Sequence, residues 1–245
     1  MLLAIATCTY YESLDDLRAQ LALRTLSLAA KYKIPVALVD GGSPQNVVDA
    51  FKARGAHVFS QEDWTFGSAW RQAIREAFAL SESKGVLRTE PEKYTFLDIV
   101  PTVAACIRDG MADIVYGDRR PMDSFPEIQR YSELFGDKYV FDLLGLDIDL
   151  FAGPSVIGPK AIPFFLDYRP EGEAEDPCDT MHLPVLRAIA AGLKVVNVKS
   201  NYVHPQEMKK AEEGDVAMNE KRLRQLGEVL IPLTAEARRL GIARS

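Results

Sequence analysis

Pro35-Val36-Ala37-Leu38-Val39-Asp40-Gly41-Gly42-Ser43-Pro44 is the stretch on which the fold turns. Four consecutive apolar residues run into an acid and then into a glycine-rich break. A run without polar alternation marks a strand covered on both faces, as in parallel sheets. Upstream, Leu2 to Thr7 repeats the pattern, and residues 13–31 carry Leu14, Leu17, Leu21, Leu28 and Ala29 at helical spacing. Ser13, with Asp15 and Asp16, predicts the helix start. Downstream, a short helix to about Arg54 is expected, then a strand over 56–60 and a helix over 67–82. Strand and helix alternate, so the sequence predicts an α/β domain with a mostly parallel sheet and helices on both faces.

The alternation continues more weakly. Val86-Leu87-Arg88 is read as a strand mainly from its place in the order. Residues 90–93 cannot be regular helix, because Pro91 restricts the residue before it. A helix is expected from Pro101 to Gly110, and a strand from Ala112 to Tyr116 closed by Gly117. Beyond residue 120 the pattern predicts helices over 127–144, 180–191 and 218–240. It also predicts a short strand pair within Phe151 to Pro159 and a strand from Lys194 to Val198. Residues 169–179 read as an acidic, proline-bearing loop. With no repeat and no linker, all 245 residues are expected to form one domain, with residues 1–120 binding a nucleotide and 121–245 facing the acceptor.

Composition narrows the function. The chain is 47% apolar and 26% charged, enough for a sizeable core. Its net charge of -6 argues against nucleic acid as a partner. No apolar run reaches the ~18 residues of a membrane span. The N-terminus lacks a basic leader segment and reads as a first strand. Cys8, Cys106 and Cys178 show no paired spacing, which favours idle thiols in a reducing compartment and hence the cytoplasm. A glycine-rich dinucleotide fingerprint, a Walker A loop and a serine nucleophile elbow are all absent.

In open parallel sheets, ligands bind at the carboxyl ends of strands. Those ends here hold Thr7 to Glu12, Asp40 to Ser43, Glu90 to Lys93 and Gly117 to Arg120. At these residues the chain resembles the family 2 GT-A glycosyltransferases. Thr9-Tyr10-Tyr11-Glu12 is similar to their T-Y-N-E, and Val39-Asp40-Gly41-Gly42-Ser43 to their V-D-D-G-S. Gly67-Ser68-Ala69-Trp70-Arg71-Gln72 resembles the start of their next helix. Gly110-Met111-Ala112-Asp113-Ile114-Val115-Tyr116-Gly117-Asp118-Arg119 resembles G-x-A-D-x-V-x-G-x-R. The likeness covers residues 1–120 well and 150–205 loosely.

The resemblance implies a GT-A fold and transfer of a sugar from a UDP- or GDP-linked donor to a small or soluble acceptor. It implies that Thr9, Tyr10, Glu12, Asp40 and Gly41 hold the nucleotide. Asp40 read alone can also be a turn-forming acid before two glycines. Glu90-Pro91-Glu92 stands where the family carries D-x-D, implying that Glu90 and Glu92 bind Mg²⁺ or Mn²⁺, with His204 completing the site. The exchange of Asp for Glu changes the geometry of that site, and an acidic helix start is the other reading of the same residues. Lys93, Arg71 and Arg119 are expected on phosphate, against ordinary surface salt bridges. Asp176 or Asp179 is implied as the general base of an inverting reaction.

Two other functions remain open at this point. One is a nucleotidyltransferase acting on a sugar phosphate. The other is a non-catalytic relative that binds a nucleotide or sugar. The terminal helix, with Leu223, Leu226, Val229 and Leu230, is expected in the core, with a homodimer face as the alternative.

Overall fold

The computed structural model describes residues 3–82, 84–170 and 179–244, without the side chains of 179 and 180. β1 (Ala4–Thr9), β2 (Val36–Asp40) and β3 (Ala56–Ser60) are parallel neighbours, and β4 (Val86–Arg88) joins β1 on its other side. β5 (Ile114–Asp118), β6 (Ser155–Ile157) and β7 (Val195–Lys199) complete a seven-stranded sheet in the order β3-β2-β1-β4-β6-β5-β7. β6 runs antiparallel between β4 and β5. The sheet spans both halves of the chain.

Side-chain alternation explains why the strands read as unbroken apolar runs. In β1 and β2, Ala4, Ala6, Ala37 and Val39 enter one core, while Ile5, Val36 and Leu38 enter the other. These two strands thus feed two cores, and polar residues enter only toward their ends, from Thr7 in β1 and at Asp40 in β2. The first core is capped by α3 (Phe66–Leu80), α6 (Ile162–Leu166), α7 (Asp179–Ala190) and α9 (Val216–Arg239). Ala4, Ala6 and Ala37 meet Ala69, Ala73 and Ala77, so small side chains on both sides let α3 lie close to the sheet. The second core is capped by α1 (Leu17–Lys31), α2 (Gln45–Lys52) and α4 (Val100–Arg108). α5 (Glu127–Leu144) packs on α9, and α8 (Gln206–Glu212) touches α1. Among the described residues, no helix is long and apolar enough to cross a membrane.

Several expectations change in detail. α1 is capped by Asp16, whose carboxylate accepts the Arg18 N–H at 2.7 Å. Ser13 instead accepts from the Asp15 N–H in the turn before it. β5 does not stop at Gly117. A Cβ there would overlap the Phe96 ring and lie 2.9 Å from Ile99, so this glycine permits a close approach rather than a turn. The strand pair expected after Phe151 is the single strand β6, because its partners, β4 and β5, lie far away in sequence. On α9 the buried face carries Val229, Leu233, Glu236 and Ala237, while Leu223 is exposed. Pro232 falls inside that helix.

Candidate functional site

A cavity of about 510 Å³ opens at the carboxyl end of the sheet. Its floor is built by the ends of β1 (Cys8 to Tyr11), β2 (Gly41) and β4 (Arg88), with residues 90–93 beside them. The first turns of α3 supply Phe66, Ala69 and Trp70. α7 supplies His182, and α9 closes the far wall with Lys221, Arg222 and Gln225. Strand ends collect here because each parallel strand releases the chain at the same edge, and the following loops must cross it.

The rim is locked by one hydrogen-bonded turn. The Asp40 carboxylate accepts from the Gly42 N–H at 3.0 Å, the Ser43 N–H at 2.8 Å and the Ser43 hydroxyl at 2.6 Å. Ser43 Oγ in turn accepts the Tyr11 N–H at 3.0 Å, and Gly41 N–H donates to Thr9 O at 2.8 Å. Gly42 holds a φ of +104°, where a side chain is strained. The β1 and β2 ends are therefore one unit. Asp40 serves the turn, while Thr9, Tyr10 and Gly41 reach the cavity wall. Tyr10 stands exposed at the mouth, and Tyr11 is buried edge-on against Phe51. Glu12 is exposed and outside the wall.

Charge is concentrated in this cavity. Arg18, Arg88, Lys93, Arg119, Lys221 and Arg222 face Glu90, Glu92, Glu133 and Glu212, so cations prevail inside a chain of net charge -6. Such a pocket attracts anionic ligands. Burial would raise the Glu90 carboxyl, but Lys93, Arg88 and Arg119 outweigh it and hold Glu90 below the usual carboxylate range. Glu92 goes the other way, its burial outweighing Lys93. Burial would lower the Lys93 ammonium, yet Tyr202, Glu90 and Glu92 keep it above its ordinary value.

The polar atoms of the wall are incompletely paired. Trp70 Nε1, Arg88 Nη1, Glu90 Oε2, Gln129 Oε1 and His182 Nδ1 are buried without a hydrogen-bond partner. Buried polar groups in native proteins are otherwise almost always satisfied, so these five are candidates for contact with a ligand. Gly153 sharpens the point. A Cβ there would overlap the Glu90 carboxylate, so the glycine exists in the space that Glu90 occupies.

Of the residues singled out in the sequence, Thr9, Tyr10, Gly41, Glu90, Glu92, Lys93 and Arg119 converge on the cavity. Arg119 does so as a strut. Its guanidinium donates to Asp149 from Nε at 2.9 Å and Nη2 at 2.7 Å, and Nη2 also meets Glu133 at 2.7 Å. Arg71 lines a separate cleft with Glu62, Asp63 and Arg169. His204 is buried against Phe125, ring centroids 4.6 Å apart, and does not line the cavity. Burial and the nearby Lys93 charge push it down to about 2. Asp176 lies outside the described residues. Asp179 is the first residue of α7, and its side chain is likewise outside them.

Sequence reasoning missed Arg18, Trp70, Arg88, His182, Lys221 and Arg222. Trp70 and Arg88 were legible as polar or amphipathic groups next to strand or helix ends. The others come from helices whose facing only packing reveals.

The wall also presents carboxylates that could hold a divalent cation. Glu90 Oε2 is buried and unpaired, and Glu92 lies two residues on along the same wall. Among the described residues, no three His, Cys, Asp or Glu side chains form a metal-binding group. Two carboxylates suit Mg²⁺ or Mn²⁺ when substrate phosphates and water supply the remaining ligands.

No protein-family model matches the sequence, and neither does any curated protein sequence. Solved structures do match in fold. One is glucosyl-3-phosphoglycerate synthase from Mycobacterium tuberculosis in complex with Mn²⁺, UDP-glucose and phosphoglyceric acid. It is 15% identical, with a TM-score of 0.55 over 99% of this chain and 81% of the other. The same enzyme with Mg²⁺ and UDP aligns at 15% identity and a TM-score of 0.54, over 99% and 81% of the two chains. The chain thus has the fold of the GT-A nucleotide-sugar glycosyltransferases.

Proposed function

We propose that this protein is a glycosyltransferase that takes a sugar from a UDP- or GDP-linked donor and passes it to a small acceptor. The observation that carries this reading is the row of buried, unpartnered polar atoms on a cation-rich wall at the strand ends. An anion with many hydroxyls satisfies that wall: phosphates for the cations, sugar oxygens for the mixed donors and acceptors. The solved structures of the same fold, which hold UDP or UDP-glucose with Mn²⁺ or Mg²⁺ and, in one case, phosphoglyceric acid, support it.

In this reading the nucleoside lies over Thr9, Tyr10 and Gly41, with Asp40 fixing the turn beneath it. Lys93 and the α9 pair Lys221 and Arg222 meet the diphosphate. Glu90 and Glu92 would hold Mg²⁺ or Mn²⁺, which supplies charge neutralisation for the departing nucleoside diphosphate. Trp70 offers an indole face and an N–H to the sugar. Asp176 and Asp179 remain the proposed source of the general base, since α7 follows directly and brings His182 to the cavity. The free thiols of Cys8 and Cys106 support a cytoplasmic setting.

Isothermal titration with UDP- and GDP-sugars, with and without Mn²⁺, tests the reading. Binding of at least one donor, strengthened by Mn²⁺, is expected. No binding to any nucleoside diphosphate across the panel overturns it. Donor binding with no turnover on any small polyol or hydroxy acid leaves a binding protein instead.

A further inference from the structure

Arg88 ends β4 with 1% of its surface exposed, yet it lines the cavity. Its Nε donates to Ser155 Oγ at 3.2 Å, and its Nη2 to the carbonyls of Gly153 at 2.9 Å and Ala152 at 3.4 Å. All three partners are neutral. Nη1 has no partner. The contrast is Arg119, the other buried guanidinium of the cavity, which has Asp149 and Glu133 against it. A buried cation without a counter-ion in contact is costly, and its site is complete only when an anion arrives.

The surroundings specify what kind of anion. The Trp70 ring lies 5.8 Å from the Arg88 guanidinium, and its N–H is also buried and unpartnered. His182 joins them with an unpartnered Nδ1, its ring 5.5 Å from that of Phe151. Burial, with Arg88 adding to it, pushes this imidazole down to about 3, so it is neutral and brings no charge of its own. The Glu90 carboxylate acts on Arg88 from beyond contact, so the inner end offers one cation with no anion touching it, the Trp70 N–H, an open imidazole nitrogen and flat aromatic walls. Only Nη1 of the guanidinium is open, so a carboxylate meets it through that one nitrogen as a charge-assisted hydrogen bond, and a planar group fits between the rings. A plain hydroxyl would accept the hydrogen bond but put no anion in contact with the guanidinium.

We propose that Arg88, Trp70 and His182 form a carboxylate subsite at the inner end of the cavity. The molecule that fills it carries an acid group, either on the transferred sugar or on the acceptor. Only the choice between those two sources rests on the glycosyl-transfer reading.

The test is a ligand panel on the whole protein. UDP-glucuronate is compared with UDP-glucose, and glycerate with glycerol, the latter pair with and without UDP. A hydrogen bond to a charged group is worth roughly tenfold or more in affinity. A preference of about that size for UDP-glucuronate, lost in Arg88→Met while UDP affinity holds, places the acid on the sugar. The same preference for glycerate over glycerol, lost in Arg88→Met, places it on the acceptor. Should Arg88→Met fail to fold, Arg88→Lys keeps the charge and loses the open Nη1 donor, and a reduced preference is expected. No carboxylate preference in the parent protein, or one that survives Arg88→Met, overturns the subsite. Failure of UDP and GDP to bind overturns the transferase reading alone, because the glycerate comparison without nucleotide still decides the role of Arg88.

Discussion

Asp149→Ala should cost this protein about 3–5 kcal/mol of stability, the range for breaking a buried ion pair from one side. Asp149 is fully buried, and its Oδ2 accepts both the Arg119 side-chain Nε at 2.9 Å and the Arg119 backbone N–H at 3.0 Å. Its Oδ1 accepts Nη2 at 2.7 Å. The substitution removes all three bonds and leaves Glu133 as the acid in contact with the guanidinium, with Asp137 close by. A domain holds about 5–15 kcal/mol in total, so the loss takes a large share. In urea, with a slope of ~3 kcal/mol/M at the upper end of the usual range, the midpoint should fall by about 1–1.7 M. A variant carrying Arg119→Met, Glu133→Gln and Asp149→Asn removes the three charges of the ion-paired cluster and keeps an acceptor for the backbone N–H. It should recover to within about 2 kcal/mol of the parent, because desolvation of the ions disappears with them. An Asp149→Ala loss under about 1 kcal/mol would refute the strut, and Arg119 would return as a candidate phosphate ligand.

Three further outcomes follow from the site. Gly153→Ala should leave the fold intact but push the Glu90 carboxylate from its place, cutting Mn²⁺-dependent donor affinity by about tenfold or more, as titration would show; unchanged affinity sinks that placement of Glu90. Lys93→Met should weaken UDP binding by roughly tenfold and flatten its dependence on salt, and an unaltered salt dependence would remove Lys93 from the phosphate site. Asp137, buried on α5 beside Asp149, is pushed up to about 9 by burial and then by the Asp149 charge. Its folded value lies above its unfolded one near 4, so its stabilisation is complete below pH ~4 and is lost as pH rises through about 9. Asp137→Asn mimics the protonated form, so between pH 5 and 8 the parent should lose on the order of 1 kcal/mol per pH unit relative to the variant. Parallel stability curves in denaturant would contradict it.

The strands were legible because burial on both faces leaves a mark in a short window. Val36 to Asp40 and Ala56 to Ser60 stand where periodicity places them, and the helix over 127–144 matches to the residue. β6 was not legible as a lone strand, since its three residues are defined by partners about 40 and 70 positions earlier in the chain. The same limit governed the site. Motif order brought Thr9, Tyr10, Gly41, Glu90, Glu92 and Lys93 to one edge, because strand ends are local features. Arg71, on a helix whose rotation the sequence leaves open, went to another cleft.

The sequence by itself determined the alternation of strand and helix, the edge of the sheet where chemistry collects, and the acidic and basic residues at 90–93. Those follow from backbone period and local turn chemistry, which act over a few residues. Only the tertiary structure decided that Arg119 is paired, that His204 is stacked away on Phe125 and that Arg88 is buried with an open donor. Pairing is settled by which residues from distant elements share a low-dielectric space. A guanidinium beside Asp149 and one beside the carbonyls of 152 and 153 look alike in sequence and differ in everything a ligand would meet.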